Sequence, residues 1–412
     1  MQAWSEEDSL NAQRQLIIGG VFHSIGQNCV SVAILILCAS YLGVPEYVSA
    51  CFGSIGYFAY LTLPVGYKVC AHFGVCRGAF LLRGSTCAGY LLYILAVLKP
   101  SIGVWLFPFA VVLASSLICA STAMGFPLQK TITNDKTIGP FLSKSSTCGY
   151  VTALVASTVV AWCIKHFGAG ANTFVCLFAL AAFFVLLGAV CYLTFREPRE
   201  LQEEAMRPLF RQLPELMRYS GFVKLCLAGM FANVLLMVMP SACILAARSG
   251  CGAGDSLVVI LATSQTLAAI ATAISYKWFV SKLGPSRLLL SCTPLMLLVI
   301  FFWAVVPVDI PKAFLFIPFV LCGIILVFVG TSFSQYITVM VPSHLQIPGS
   351  LGVLMTHGTL AGLIGLVVNS TLFKILWMLP ETSPLTHYRQ FFLCCLFFCA
   401  LSTSIIYKMP RY

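Results

Sequence analysis

The sequence nearly repeats itself after 209 residues, so that Glu46 is matched by Asp255. Other pairs follow in the same order at the same offset, which is about half of the 412-residue length. A single inserted residue then shifts the pattern Gly74-x-x-Arg77 onto its second copy at an offset of 210. The other matched residues are Gly20 and Gly229, Tyr67 and Tyr276, Thr147 and Thr356, and Gly149 and Gly358. Several pairs in one order at one offset indicate two copies of one structural unit.

The composition excludes a fold that is dissolved in water. Hydrophobic residues make up 59% of the chain and charged residues only 9%, whereas soluble domains carry about 25% charged residues. A water-soluble fold cannot cover so many apolar side chains, so the surrounding solvent is lipid. The polar first residues lack the basic-then-apolar pattern of a secretory signal, and we expect no cleavable one.

Twelve apolar stretches are long enough to cross a membrane, since the hydrocarbon core requires about 20 residues of helix. They must be helices, because lipid offers the backbone no hydrogen-bond partners and the short alternating strands of a barrel are absent. The predicted spans are 15–42, 46–67, 78–98, 102–125, 144–164, 171–195, 221–247, 255–276, 287–306, 312–338, 348–373 and 388–408. The sequence therefore predicts an all-α membrane protein with twelve transmembrane helices in two pseudo-symmetric six-helix bundles.

The basic residues predict the orientation. Eighteen of the 24 Lys and Arg residues fall on one side of the predicted membrane, and the positive-inside rule assigns that side to the cytoplasm. This count assigns Arg83, near the start of span 3, to the cytoplasmic side. Both termini are then cytoplasmic, and we expect a multi-pass protein of the cell (inner or plasma) membrane. The formal charge of +11 follows from this topology, with anionic lipids and not nucleic acid as the expected counter-charge.

One long polar stretch, residues 196–220, divides the chain and carries five Arg and five Glu. The spacing of its Leu, Phe and Met residues favours an amphipathic helix on the cytoplasmic membrane surface. A solvated tether with one or two helical turns is the alternative. The sequence thus predicts an N-terminal six-helix half over 1–195, a cytoplasmic linker over 196–220, and a C-terminal six-helix half over 221–412.

The loops after spans 2 and 8 carry a Gly-containing, basic pattern in both copies. The first reads GYKVCAHFGVCR over 66–77, and the second reads YKWFVSKLGPSR over 276–287. This pattern resembles the loop motif G-x-x-x-D-R-x-G-x-R-R of the major facilitator superfamily. The Gly and the following Arg of that motif are present as Gly74 and Arg77 and as Gly284 and Arg287. The Asp of the motif is missing from both copies, and in the family it helps to latch the cytoplasmic side.

The resemblance covers the whole chain and implies a secondary transporter whose two halves rock around a site at mid-membrane depth. It implies that spans 1, 4, 7 and 10 line the path, with spans 2, 5, 8 and 11 beside them. It also implies a gating role for the two glycine-containing loops and a monomeric protein.

Glu46 and Asp255 are predicted at the outer starts of spans 2 and 8. An acid at a helix N-terminus satisfies free amides and complements the helix dipole. We therefore interpret both residues as helix caps, with substrate binding as the alternative.

No Asp or Glu falls in the middle of a predicted span, since all 13 acidic residues lie in loops or at span ends. A proton relay through carboxylates at depth is therefore not expected. Facilitated diffusion, exchange or coupling through histidine remains, with His23 in span 1 and His357 in span 11 as candidate proton sites. Each is alternatively a hydrogen-bonding group in a cavity or a neutral histidine satisfied by a neighbouring helix. For His357 the structural interpretation is favoured.

Polar side chains in apolar spans mark the predicted solute site. An unpaired amide in lipid costs several kcal/mol, so these groups must face another helix or a wet cavity. His23 and Gln27 share a face of span 1 because they are four residues apart. The predicted substrate-binding residues are His23, Gln27, Asn28, Asn233, Gln265, Gln335, Tyr336 and His357. Helix–helix hydrogen bonding is the alternative role for such residues.

The expected function is secondary active or facilitative transport of a small polar organic solute by alternating access. An anion attracted by Lys144 or Arg248 is the less favoured solute. A polytopic ligand-binding sensor with a transporter fold and no flux is the alternative. An enzyme is not expected, because the sequence shows no clustered nucleophile and base and no nucleotide-binding fingerprint. The 19 cysteines show no metal-ligand spacing, so neither a metal nor a cofactor is expected.

Overall fold

The computed structural model describes residues 6–133, 138–194, 196–197, 202–203, 213–218, 220–340, 346–378 and 383–408. Every regular element in these ranges is a helix, and they contain no strand. Twelve helical runs in this part of the chain are long and apolar enough to cross a membrane, by length and composition. The all-α class and the twelve spans predicted from the sequence are therefore confirmed.

We number the spans α1 to α12 in chain order. They are α1 Glu6–Tyr41, α2 Glu46–Phe73, α3 Val75–Leu98, α4 Pro100–Ser121, α5 Thr147–Phe167, α6 Ala171–Thr194, α7 Phe222–Gly250, α8 Asp255–Tyr276, α9 Arg287–Val305, α10 Lys312–Phe333, α11 Leu351–Met378 and α12 Pro384–Tyr407. The first helix begins at Glu6, where the sequence predicted residue 15. Three acidic residues fill its first turn, where the helix dipole favours negative charge.

Several spans are interrupted. The helix of α1 breaks between Glu6–Cys29 and Val32–Tyr41. Three π-helical segments, in which one extra residue per turn re-aims the side chains, are Ala246–Gly250 in α7 and Met355–Leu360 and Val368–Leu372 in α11. The segments of α2 are Glu46–Ser49, Phe52–Phe58, Ala59–Thr62 and Leu63–Phe73, and further helices are Gly125–Thr131, Ile138–Phe167, Leu213–Met217, Phe316–Met340 and Gln346–Leu354.

The first of two compact units contains residues 1–34 and 59–209. Its α3 packs on α4 and α6, and the helix Glu6–Cys29 packs on α5 and α6. Its core contains a buried aromatic cluster, with ring centroids 5.1 to 6.2 Å apart. The cluster consists of Tyr93, Phe107 and Phe178.

The second unit contains residues 35–58 and 210–412. Residues 52–58 of α2 pack on α7 and α11, and α7 packs on α10 and α12. Trp303 of α9 stacks on Phe392 of α12 with ring centroids 5.6 Å apart, and its indole N–H donates to Cys243 Sγ at 3.1 Å. The two compact units are defined by which residues contact each other. The division into halves at 1–195 and 221–412 was inferred from the repeat and stays a prediction.

The repeat recurs in the backbone. Gly74 and Gly284 both have positive φ, at 95° and 73°. A second pair, Gly43 and Gly252, has φ of 74° and 64° and lies three residues before the two acids of the repeat. Positive φ is a conformation that glycine adopts at no steric cost. The same backbone turns therefore interrupt the helices of both copies.

The described C-terminal end of the predicted linker packs within the second unit. In the short helix Leu213–Met217, Leu216 is 1% exposed and clusters with Phe222 of α7 and Val353 of α11, while Met217 is exposed. One apolar side of this turn is thus buried by protein. Most of the rest of the predicted linker lies outside the described residues.

Candidate functional site

The turn between α2 and α3 is closed by a carboxylate from the segment after α6. Glu197 accepts hydrogen bonds from the backbone N–H groups of Val75 and Cys76, the latter at 3.0 and 3.1 Å from its two oxygens. A negative group at a helix start satisfies free N–H groups and complements the helix dipole. Gly74 leaves room for this group, because a Cβ there would lie 2.9 Å from the carboxylate carbon.

This carboxylate reaches the same turn where the loop motif lacks its Asp. The loop pattern did not predict the contact with Glu197, because that residue lies 122 positions after Val75 in the sequence. A second side chain of that segment also holds the turn, since Gln202 Nε2 donates to the Ala71 carbonyl at 3.0 Å. Arg77 and Arg287 of the two predicted gating loops are both exposed. Their gating role stays a prediction.

Glu46 joins the ends of three spans within the second unit. It lies in the first turn of α2, directly after the N-cap residue Pro45, and its role as a helix cap stays a prediction. Its two carboxylate oxygens accept hydrogen bonds from Ser249 Oγ of α7 at 2.6 Å and from Tyr388 Oη of α12 at 2.9 Å. The favourable interaction with the helix dipole remains, and the hydrogen bonds add a tertiary link.

Asp255, its counterpart in the repeat, forms an ion pair. It lies in the first turn of α8, directly after the N-cap residue Gly254, and its role as a helix cap also stays a prediction. Arg248 Nε of α7 lies 3.0 Å from its carboxylate, and about a third of each side chain is exposed. Such a partly exposed pair contributes about 1 kcal/mol or less. The pair offsets the charge of Arg248, which the sequence offered as an attractor for anions.

The predicted amides of α1 belong to a hydrogen-bonded cluster in the first unit. Gln27 Nε2 donates to Tyr90 Oη of α3 at 2.8 Å. Asn28 Oδ1 accepts from Ser157 Oγ of α5 at 2.7 Å, and Asn28 Nδ2 donates to the Ser24 carbonyl at 2.8 Å. These bonds join three helices, as helix–helix hydrogen bonding requires. Both amide side chains remain only half-buried, and their role in solute binding stays a prediction.

His23 lies one turn before Gln27 and near a buried arginine. Its Nδ1 is buried and has no hydrogen-bond partner among the described residues. Arg83 of α3 lies within electrostatic range of His23, is 8% exposed, and holds its guanidinium 5.0 Å from the ring centre of Tyr192. Arg83 lies within α3, near the start of the span as the sequence predicted, and its assignment to the cytoplasmic side stays a prediction. A buried cation is costly in a membrane, and in the described part of the chain no carboxylate pairs with it.

His357 is held between helices of the second unit. Its Nε2 lies 3.2 Å from the Leu225 carbonyl of α7, and its ring meets Phe333 edge-on with centroids 5.0 Å apart. The ring also lies against Gly229, where a Cβ would overlap it. This is the arrangement of a structural histidine, and proton coupling through His357 stays a prediction.

Asn233 and Gln265 present polar groups in α7 and α8. Asn233 is half-buried and donates to the Gly229 carbonyl of its own helix at 2.8 Å. Gln265 lines a small cavity of about 10 Å³ beside Pro240 and Leu236, which is room for one water molecule. Because Pro240 has no backbone N–H, it cannot donate to the Leu236 carbonyl one turn earlier. The wall of the cavity therefore contains that carbonyl as a second polar group beside Gln265.

Asn369 is a site residue that the sequence analysis missed. It is fully buried in α11, where its Nδ2 donates to the Ala50 carbonyl of α2 at 2.8 Å and to Ser54 Oγ at 3.4 Å. A polar amide inside an apolar span is the signal that selected Asn233, and the same rule identifies this residue.

The three π-helical segments each carry a polar side chain with a partner on another span. Ser249 occupies the first, His357 the second and Asn369 the third. π-Helical turns are frequent at functional sites. Hydropathy does not reveal them, because it measures the polarity of the side chains and not the hydrogen-bond pattern of the backbone.

Two predicted residues have no described side chains. Gln335 and Tyr336 lie in the helix Phe316–Met340, but their side chains lie outside the described residues. Among the side chains that are described, no group of three His, Cys, Asp or Glu residues could hold a metal ion.

The comparisons with known proteins agree with this architecture. The sequence model of the Major Facilitator Superfamily matches residues 16–366. A mutant of the nucleoside transporter NupG superposes with a TM-score of 0.72 at 13% identity, over 97% of this chain and 98% of that chain. The D-xylose-proton symporter gives 0.66 at 12% identity over 98% of both chains. A POT family transporter in complex with 5-aminolevulinic acid gives 0.68 at 13%, over 97% of this chain and 96% of that chain. A comparison with curated proteins found no significant match.

The twelve spans and the shared fold define an integral membrane protein of the transporter class. The chain belongs to the Major Facilitator Superfamily, because the family model covers well over half of its length. The resemblance inferred from the loop pattern is thereby confirmed. The matched family and the similar structures are transporters, in keeping with the expectation that the chain is not an enzyme.

Proposed function

We propose that this chain carries a small polar organic solute across the membrane by alternating access, as a secondary active or facilitative transporter. The observation that carries the proposal is the hydrogen-bonded polar cluster around Gln27 and Asn28 of α1. It occurs in a chain that belongs to a family of transporters. Gln27, Asn28 and their partners offer amide and hydroxyl groups inside an otherwise apolar bundle. Maintaining such groups in lipid is costly; besides their bonds to neighbouring helices, the half-buried amides are proposed to bind the solute.

The chemistry of these groups favours a neutral solute rich in hydroxyl or amide groups. The cluster contains Tyr90 and Ser157 as well as two amides, and each of these side chains can donate and accept hydrogen bonds. The similar structures include a nucleoside transporter and a D-xylose symporter, whose solutes have this chemistry. In the second unit, Asn233 and Gln265 are the proposed solute contacts.

For ion coupling we propose His23 rather than His357. His23 has a buried ring nitrogen that no described residue satisfies, whereas His357 is engaged by the Leu225 carbonyl and the ring of Phe333. An imidazole that must gain or lose a proton needs a nitrogen that is free to exchange it. Uptake that is indifferent to a pH gradient would identify a facilitator or exchanger instead.

The proposed topology has the termini in the cytoplasm and the two sequence halves related by the repeat. The excess of basic residues on one side supports this orientation. We further propose that the protein acts as a monomer in the cell membrane.

The test is uptake into proteoliposomes that contain the purified full-length chain. A panel of labelled sugars, nucleosides, amino acids and carboxylates is offered with and without an imposed pH gradient. We expect uptake of at least one hydroxyl-rich solute above that of protein-free vesicles. Absence of uptake of every solute by folded protein would contradict transport and favour a ligand-binding sensor with this fold.

Site variants test the assignment of the solute contacts. Gln27→Ala and Asn233→Ala should each weaken solute affinity about tenfold or more, the effect of losing roughly 1.4 kcal/mol of hydrogen bonding. Thr158→Ala removes an exposed hydroxyl of α5 and is the control. Unchanged affinity in both site variants would overturn the site but not transport itself.

A pair of histidine variants tests coupling. His23→Gln should abolish any acceleration of uptake by the pH gradient while solute exchange continues. His72→Gln changes an exposed histidine at the end of α2 and should leave the acceleration intact. Equal acceleration in both variants would rule out His23 as the proton site.

A further inference from the structure

An open groove runs between α9 and α12 in the second unit. One part of the groove has a volume of about 610 Å³ and the other about 480 Å³. Leu297 of α9 and Leu396 of α12 line both parts, so the two form one continuous trough. Both helices are apolar membrane spans, and lipid is therefore the medium in contact with the trough.

The lining of the groove follows one side of each helix. Its residues recur at 293, 297, 300, 301 and 304 in α9 and at 393, 396, 400, 403 and 407 in α12, the spacing of one helix face. The smaller part is lined by apolar side chains alone, among them Phe301 and Leu393. The larger part adds Thr293, Thr403, Ser404, Tyr407 and Lys408. The groove is therefore apolar at one end, hydroxyl-rich beyond that and cationic at the other end.

A second cation lies at the same end. Thr293 and Thr403 are hydrogen-bonded to each other at 3.0 Å, which fixes the register of α9 against α12. Because consecutive membrane crossings alternate in direction, α9 and α12 are antiparallel. Arg287 lies six residues before Thr293 in α9, and Lys408 lies five residues after Thr403 in α12. At the rise of an α-helix these offsets are about 9 Å and about 7.5 Å toward the same end of the groove. Both cations are exposed and lie at nearly one depth.

We propose that this groove binds one anionic glycerophospholipid. Its phosphate meets Lys408 and Arg287, its glycerol ester region meets the hydroxyls of Thr403 and Ser404, and an acyl chain follows the apolar trough past Leu297. The order of polarity along the groove matches the order of these groups in the lipid. Basic side chains near the membrane surface attract anionic headgroups, so the site prefers an anionic lipid to a zwitterionic one.

The first test measures lipid retention by the purified full-length protein in detergent. Phosphatidylglycerol or phosphatidylcholine is added, and native mass spectrometry counts the molecules bound. We expect one phosphatidylglycerol to bind about fivefold more tightly in the original protein than in Lys408→Gln. Lys282→Gln, which changes an exposed lysine of the same unit outside the groove, should bind like the original. Equal losses in both variants, or no loss in Lys408→Gln, would overturn the proposal.

The second test fills the groove. Ala400→Phe puts a ring into the larger part of the trough and should abolish the tight lipid site. Ala271→Phe on the exposed face of α8 should leave the site intact. Inorganic phosphate added at the lipid concentration should not compete. Retention of the lipid by Ala400→Phe, or its displacement by free phosphate, would contradict a groove that recognises the whole lipid.

Discussion

The link between Glu197 and the start of α3 is the contact whose energetic contribution can be estimated most directly. Its carboxylate satisfies the N–H groups of Val75 and Cys76 at the first turn of a membrane-spanning helix. Removing an N-terminal cap costs about 1 kcal/mol, and losing a negative charge at the positive end of the helix dipole costs about 0.5 kcal/mol more. Glu197→Ala should therefore destabilise the protein by about 1.5 kcal/mol.

The conservative variant separates the two contributions. Glu197→Gln keeps an oxygen that can accept from the same N–H groups but removes the charge, so it should cost only about 0.5 kcal/mol. For a unit of this size, about 1.5 kcal/mol corresponds to a fall in Tm of about 4 °C, and the smaller cost to about 1–2 °C.

The assay is thermal unfolding of the purified protein in detergent, followed by near-ultraviolet circular dichroism. Glu203→Ala is the control, because Glu203 is an exposed acid of the same segment, and it should shift Tm by less than about 1.5 °C. If Glu197→Ala unfolds at the same temperature as Glu203→Ala, the carboxylate does not stabilise the turn. Glu197 would then not take the place of the Asp that the loop motif lacks.

Three further variants test contacts of the second unit by the same assay. Gly229→Ala places a Cβ where the His357 ring lies and should destabilise the protein by about 1–3 kcal/mol. The double variant with His357→Ala should recover part of that loss, because the ring is then gone. Strictly additive losses would show that residues 229 and 357 do not touch. Asn369→Leu removes the donor to the Ala50 carbonyl and should cost about 1–2 kcal/mol; an unchanged Tm would contradict the bond. Tyr388→Phe removes one of the two hydroxyls that donate to Glu46 and should cost about 1.5 kcal/mol, a loss that should vanish when Glu46 is already Ala and no acceptor remains.

The membrane spans were predictable because one physical effect dominates them. A segment such as Ala171–Val190 contains no charged residue over its whole length, and only a helix satisfies its backbone in lipid. The turns of the repeat were also predictable in part. Gly74 and Gly284 were visible as a repeated Gly-x-x-Arg pattern, and both adopt positive φ. The matching pair Gly43 and Gly252 also repeats at an offset of 209, three residues before Glu46 and Asp255, and it was missed.

The partners of the polar side chains were not predictable from the sequence. Glu197 contacts a residue 122 positions away, and Asn369 contacts one 319 positions away. Such contacts depend on which faces of the helices pack together, and hydropathy does not determine this when a helix is apolar on all sides. The burial of Arg83 was not predictable for the same reason. Its position near the start of a span indicated a side of the membrane, but it did not indicate the neighbouring helices that bury the side chain to 8% exposure.

The central claim, that this member of the Major Facilitator Superfamily moves a polar solute by alternating access, is tested most directly by counterflow. Proteoliposomes are loaded with a high concentration of an unlabelled solute from the panel and diluted into a trace of the labelled form. A carrier that exposes one site to each side in turn produces a transient accumulation of label above its equilibrium level, and this overshoot is the predicted result. Monotonic equilibration would indicate a pore, and no entry of label into vesicles with folded protein and bound solute would indicate a sensor; either result would contradict the account.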